Sequence, residues 1–159
     1  MNLSIKLKPL IISIIIPLAV GGVSALLTMN GMQDFKNIKQ PPLSPPGWLF
    51  PVVWSILYIL MGIASYIVYT KRKTDNRTES ALKFYVAQLV FNFFWSIIFF
   101  NLDAYLFAFI WLVILWALIL LTTIKFYQVS KPAGYLMVLY LLWVTFAGYL
   151  NLAIYILNR

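Results

Sequence analysis

The residues of this sequence that are best suited to bind a ligand are amides and tryptophans at helical spacing. Gln88, Asn92 and Trp95 are spaced four and three residues apart, which places two amides and an indole on one face of a helix. Amides are costly in contact with hydrocarbon, so this face must meet neighbouring helices or a cavity. Hydrogen bonding between helices and ligand binding are both open interpretations here.

Aromatic side chains occupy two further helical faces. Trp143, Ala147 and Leu150 share one face, where a small residue one turn from an indole leaves a concave space or permits close helix packing. Trp54 lies on another apolar segment. We expect Trp54, Trp95 and Trp143 to converge on a pocket for a flat hydrophobic ligand.

Several kinds of chemistry are excluded by residue types that the sequence lacks. There is no histidine and no cysteine, which excludes thiol nucleophiles, imidazole acid–base catalysis and Cys or His metal sites. Haem ligation would be left to Met or Tyr. An ion-coupled transporter needs an ionisable relay inside the membrane, but the acidic residues all fall in or beside connections: Asp34, Asp75, Glu79 and Asp103. We expect no metal and no required cofactor.

The elements that position these residues follow from the composition. Only 10% of the 159 residues are charged, against roughly 25% in soluble domains, and 63% are hydrophobic. Apolar runs of about 20 residues are long enough to cross a bilayer. We predict an all-α, five-transmembrane-helix bundle, a single domain over residues 1–159, with helices at about 9–29, 48–70, 81–102, 105–124 and 133–157.

The first apolar run has some features of a signal peptide. Lys6 and Lys8 precede it, and residues 23–25 loosely resemble a cleavage site. The run is longer than the usual core of a signal peptide, so we expect it to be a retained first helix.

Basic residues predict the orientation of the bundle. Nine of the twelve flank the N-terminus and the second and fourth connections: Lys6, Lys8, Lys71, Arg72, Lys73, Arg77, Lys83, Lys125 and Lys131. The positive-inside rule then places the N-terminus in the cytoplasm and the C-terminus outside. Since these residues flank lipid spans, we expect no nucleic-acid partner.

The first connection, residues 30–47, differs from the others in length and stiffness. Four prolines within six residues favour extended backbone without internal hydrogen bonds: Pro41, Pro42, Pro45 and Pro46. A loop this long is either a functional cover or disorder. Phe35 and Leu43 within it favour a lid over the outer half of the bundle.

Several segments together resemble the TspO/MBR family, which includes the translocator protein once called the peripheral benzodiazepine receptor. They are PPGWLFPVVW at residues 45–54, Q-x3-N-x2-W at 88–95, YQVS at 127–130 and W-x2-FA-x2-LN at 143–151. The resemblance runs over nearly the whole chain. It departs at Leu43, where many relatives have tryptophan, so one stacking partner is missing.

The resemblance implies a ligand-binding five-helix bundle, commonly a homodimer, in a bacterial cytoplasmic membrane. Family members bind porphyrins such as protoporphyrin IX, and isoquinoline or benzodiazepine drugs. Sterol binding is associated mainly with eukaryotic members, and residues 152–159 fit the loose sterol pattern. By position, the implied ligand-binding residues are Phe35, Trp54, Gln88, Asn92, Trp95, Trp143, Ala147 and Leu150.

Three functions remain as alternatives. The first is a membrane receptor or binding protein for porphyrin-like ligands, acting as sensor, scavenger or carrier. The second is a light-dependent enzyme that degrades the porphyrin, with Trp54 and Trp143 as electron partners. The third is a structural or partner-binding membrane protein whose aromatic interior is merely packed, or else a sterol- or lipid-binding transport protein.

Overall fold

The computed structural model describes residues 5–159. This part of the chain contains five long helices. They are α1 (Leu7–Phe35), α2 (Leu49–Thr70), α3 (Arg77–Ser96), α4 (Tyr105–Val129) and α5 (Lys131–Asn158), and a π-helical segment, Ile97–Asn101, continues α3. All five are long and apolar enough to cross a membrane. Helices suit that setting because hydrocarbon offers the backbone no hydrogen-bond partners. The predicted all-α bundle of five spans is confirmed.

The helix ends differ from the predicted ones, most of all in the first helix. α1 was expected to end at residue 29 but continues to Phe35, which leaves residues 36–48 as the connection. Gly31 does not end the helix, because it lies inside α1 against the backbone of Phe100 and that contact supports the extra turns. α4 likewise runs one turn beyond the predicted residue 124, to Val129.

The helices form a ring in the order α1, α2, α5, α4, α3 and back to α1. α2 additionally contacts α3 and α4 across the ring. Sequence neighbours α2 and α3 are therefore separated on the perimeter, and the seam between α2 and α5 brings together two of the predicted ligand-binding faces.

Close helix contact depends on one glycine where α1 crosses α2. A β-carbon added to Gly62 would lie 2.6 Å from the carbonyl oxygen of Ser13 and 2.7 Å from the Cα of Ile14. Small residues commonly permit such backbone approach in membrane bundles. α2 could not pack this closely on α1 with any larger residue at position 62.

The helix most exposed to lipid is α1, although the composition of α4, mostly Leu, Ile, Trp and Phe, predicts that α4 is the most lipid-facing. In the most apolar stretch of α1, 11% of residues are buried, against 33% in α4. α1 contacts only α2, α3 and the π-helical segment, whereas α4 packs along the length of both α3 and α5. The composition of a helix does not predict its exposure to lipid, because lipid-facing and buried positions are equally apolar in a membrane protein.

The two ends of the bundle differ in character. The loop end carries residues 36–48, residues 102–104 and the C-terminus, and the basic end carries residues 71–76 and Ser130. The chain is an integral multi-pass membrane protein, and which of its ends faces the cytoplasm stays a prediction.

Candidate functional site in the aromatic interior

The two amides of α3 are joined to neighbouring helices by phenolic hydroxyls. The Tyr58 hydroxyl donates to Asn92 Oδ1 at 2.9 Å, and Asn92 Nδ2 donates to the Tyr140 oxygen at 2.6 Å. Tyr140 in turn donates to Gln88 Oε1 at 2.8 Å. Gln88 is 0% exposed and Asn92 2%. These amides therefore brace α2, α3 and α5, and a ligand would reach them only by replacing those bonds.

The indoles of Trp54 and Trp143 meet at the seam between α2 and α5. Their ring centroids are 6.5 Å apart and the rings are nearly perpendicular. Trp54 also stacks on Tyr58 at 5.5 Å and meets Tyr140 edge-on at 6.2 Å. Phe50 lies against the Trp143 ring from the loop end. We call Phe50, Trp54, Tyr58, Tyr140 and Trp143 the α2–α5 aromatic cluster.

One buried polar atom in this cluster has no partner. The indole nitrogen of Trp143 is buried and makes no hydrogen bond within residues 5–159. A buried donor left unpaired is destabilising, and such atoms in native proteins call for an explanation. An acceptor atom on a ligand that separates Trp54 from Trp143 would satisfy it.

Trp95 does not join these two indoles. It stacks on Phe99 at 5.2 Å and its Nε1 donates to Asn151 Oδ1 at 3.1 Å. Phe99 and Phe100 pack in turn on Phe35 at the end of α1, each at 5.5 Å. The predicted convergence of three indoles thus becomes two clusters, because α3 lies across the bundle from the α2–α5 seam.

Ala147 and Leu150 are both buried on α5, with 9% and 6% exposure. They lie on the loop-end side of Trp143, as their spacing predicts. Tyr140, three residues before Trp143, completes the same helical face and was not among the predicted site residues. Its hydroxyl type and its spacing were the signal that could have identified it.

The connection of residues 36–48 is fastened to α5. The Lys39 amide donates to Asn158 Oδ1 at 3.0 Å, and Asn158 Nδ2 donates back to the Lys39 carbonyl at 3.0 Å. The Tyr149 hydroxyl donates to the Pro42 carbonyl at 2.9 Å. Leu43, at the tip, has a positive φ of 69°, which is unfavourable for leucine. The loop is therefore held by these hydrogen bonds and by the packing of Ile38 and the buried Pro41, and its backbone is strained at Leu43.

A groove of about 380 Å³ runs along the outside of the α2–α5 seam. Its lining is apolar and includes Trp143 and Phe146. Ile56 and Leu142 at its edge are 51% and 61% exposed, so it opens toward the bilayer. Trp143 thus belongs both to the lining of the groove and to the α2–α5 aromatic cluster.

The site has the chemistry of binding by stacking and a few hydrogen bonds. In the part of the chain that the structure describes, no three acidic side chains lie close enough to hold a metal ion. The fold and site define an integral membrane protein of five helices with a tryptophan- and tyrosine-rich interior beneath a proline-rich loop.

The chain belongs to the TspO/MBR family, whose pattern matches residues 13–157. It is 41% identical to the tryptophan-rich protein TspO of Chlorobaculum tepidum over 124 residues, 78% of each chain. A second tryptophan-rich protein TspO, from Archaeoglobus fulgidus, is 36% identical over 94% of this chain and 96% of its own. The human translocator protein is 33% identical over 79% of this chain and 75% of its own.

Proposed function

We propose that this protein binds porphyrin-like and other flat hydrophobic ligands in the α2–α5 aromatic cluster, and acts as a sensor, scavenger or carrier. The observation that carries the proposal is the Trp54–Trp143 pair with its buried, unpaired indole N–H. Because the two indoles are nearly perpendicular, a flat ring placed between them would stack on one and meet the other edge-on. A carbonyl or carboxylate on that ligand accepts the hydrogen bond of Trp143.

Binding requires the interior to open, since the two indoles are in contact. We propose that residues 36–48 move: they are hydrogen-bonded to α5 through Asn158 and Tyr149, and Ile38 and the buried Pro41 leave their packed positions as the loop opens. Lys36 and Lys39 are exposed in this loop and supply cations for the acidic groups of a porphyrin. The loop then acts as the lid that its composition predicts.

The test is a titration with protoporphyrin IX of the protein in lipid nanodiscs. We expect the quenching of tryptophan fluorescence to saturate at one porphyrin per protein chain. Nanodiscs that contain no protein, followed by porphyrin fluorescence, give the background partitioning into lipid. Quenching that rises without saturation, in parallel with that background, would contradict specific binding.

Light-dependent breakdown of the porphyrin is a second candidate function. Three oxidisable rings surround Trp54, with centroids 5.5 to 6.5 Å from its own: Tyr58, Tyr140 and Trp143. An excited porphyrin would take an electron from Trp54, and dioxygen would serve as the terminal oxidant. Under illumination in air, bound porphyrin should bleach faster than free porphyrin. Equal rates would remove this candidate and leave the binding function intact.

A further inference from the structure

Positive charge is concentrated at the basic end and is mostly not neutralised there. Its two acidic residues are both engaged: Asp75 pairs with Arg77 at 2.8 Å and Glu79 with Lys83 at 3.2 Å. Arg77 binds both carboxylate oxygens of Asp75. Within residues 5–159 the other basic side chains of this end form no ion pair: Lys6, Lys8, Lys71, Arg72, Lys73, Lys125 and Lys131.

Two of these cations are held in place by neutral groups. Lys71 Nζ lies 3.4 Å from the carbonyl oxygen of Val129, the last residue of α4. The Arg72 guanidinium lies 3.8 Å above the Tyr69 ring and donates to the Tyr69 carbonyl at 3.1 Å. A carbonyl and an aromatic ring orient a cation without cancelling its charge. Side chains fixed in advance lose less entropy when an anion binds.

Three helix ends lie together at the basic end and form what we call the junction. Lys71 follows the last residue of α2, Val129 ends α4, and Lys131 begins α5. The first turn of α5 contributes the partial positive charge of a helix N-terminus, and the side chain of Ser130 does not cap it. Lys71 at the carbonyl of Val129 offsets the opposite partial charge at the end of α4. The ends of α2 and α4 contribute negative partial charge, so the net positive charge of the junction comes from its basic side chains and from the start of α5.

We infer that Lys71, Arg72 and Lys131 bind the phosphate of an anionic phospholipid. The partner is a lipid because the junction lies at the ends of membrane-spanning helices, where headgroups are found. Exposed tyrosines flank it, with Tyr69 37% and Tyr135 61% exposed. Aromatic rings with a polar tip are typical of the headgroup region. The acyl chains then lie along the exposed apolar faces of α2 and α5.

The test compares phosphatidylglycerol with phosphatidylcholine by native mass spectrometry of the detergent-solubilised protein. The variant removes three charges, Lys71→Gln, Arg72→Gln and Lys131→Gln. The matched control removes three at the loop end, Lys36→Gln, Lys39→Gln and Arg159→Gln. Circular dichroism checks that both fold. A basic residue near an anionic surface contributes a factor of about fivefold to affinity, so we expect the junction variant to lose well over tenfold in affinity for phosphatidylglycerol.

We expect the loop-end control to stay within about twofold of the unmodified chain, and phosphatidylcholine to bind weakly to all three proteins. Inorganic phosphate at millimolar concentration should not displace the lipid, because it lacks acyl chains. Equal affinity for the two lipids, an unaffected junction variant, or full displacement by inorganic phosphate would each overturn the inference. None of these outcomes bears on porphyrin binding at the opposite end.

Discussion

The hydroxyl group of Tyr140 joins two amides of α3 to α5. It accepts from Asn92 Nδ2 and donates to Gln88 Oε1, and Tyr140 is only 1% exposed. In lipid such bonds hold helices together because hydrophobicity does not distinguish the interior from the exterior. The amides thus have a structural role that any ligand must compete with.

Removal of this hydroxyl should destabilise the bundle. Tyr140→Phe leaves one donor and one acceptor unpaired, and we expect a loss of about 1–2 kcal/mol in the free energy of unfolding. Tyr85→Phe is the matched control, because the buried Tyr85 hydroxyl has no partner in the described chain. Its loss should be close to zero. Unfolding in a detergent-to-SDS titration measures both, and equal losses would show that the network contributes nothing.

A pH-dependent contact lies outside the membrane, between α2 and α3. The hydrogen bond from the Arg77 side chain lowers the pKa of Asp75 to about 2 from its ordinary value of 3.8. Because the folded pKa is lowered, the stabilisation is complete above the ordinary value and disappears as pH falls through about 2. Carboxyl NMR of Arg77→Gln should give a pKa for Asp75 that returns toward 3.8. An unchanged pKa would refute the assigned cause.

For individual residues, the sequence predicted which side chains share a helical face but not which side chains form hydrogen bonds with them. The spacing of Gln88 and Asn92 identified a polar stripe, and both interpretations of it were left open. The choice between hydrogen bonding and a pocket depends on what α2 and α5 present to that stripe. Tyr58 and Tyr140 supply the partners, and no single helix contains that information.

The contact between α1 and the π-helical segment depends on a glycine. A β-carbon on Gly31 would collide with the carbonyl oxygen of Phe100, and Asn101 Nδ2 donates to the Leu27 carbonyl at 2.9 Å beside it. π-Helical turns often occur at functional sites. This one places Phe99 and Phe100 against Phe35, close to the start of the loop.

Two alanine substitutions in α1 should therefore have opposite effects. Gly31→Ala forces α1 away from Phe100, and we expect destabilisation of about 1–3 kcal/mol. Gly22→Ala meets nothing within 4 Å and should be neutral or slightly stabilising through helix propensity. Thermal unfolding in detergent compares them. Similar melting temperatures for both variants would contradict the close packing at Gly31.

The loop depends on its attachment to α5. Asn158→Ala removes both hydrogen bonds to Lys39, so we expect faster amide hydrogen exchange over residues 36–48, by about tenfold, with little change inside the helices. Asn76→Ala, at the basic end, is the control because its side chain caps no helix. Equal rates of amide hydrogen exchange over residues 36–48 in both variants would show that the Asn158–Lys39 hydrogen bonds do not hold the loop.

At the element scale the five spans could be predicted but their ends could not. Length and apolarity define a span, and polar residues beyond it continue the helix when a tertiary contact supports them. Lys125 illustrates this, since its ammonium lies 5.0 Å from the Phe84 ring on α3 and α4 runs past it. The π-helical segment has no sequence signature of its own and was not predicted.

The whole molecule divides its functions between its two ends. In the proposed function the loop end controls access to the α2–α5 aromatic cluster, and in the further inference the basic end binds anionic lipid. Between them, the amide–phenol network fixes the helices on which Trp54 and Trp143 are mounted. The proposed ligand binding therefore depends on the seam of α2 and α5 rather than on all six tryptophans of the chain.

The most direct measurement is the affinity for protoporphyrin IX of Trp143→Phe against Trp116→Phe, in nanodiscs and followed by porphyrin absorbance. Both residues are partly buried tryptophans that line outward-facing grooves. Trp116, however, is on α4, lines the groove between α4 and α5, and donates a hydrogen bond to Thr145. We predict about tenfold weaker binding for Trp143→Phe, from lost stacking area and a lost hydrogen bond, and less than twofold for Trp116→Phe. Equal affinities for the two variants would contradict the proposed site.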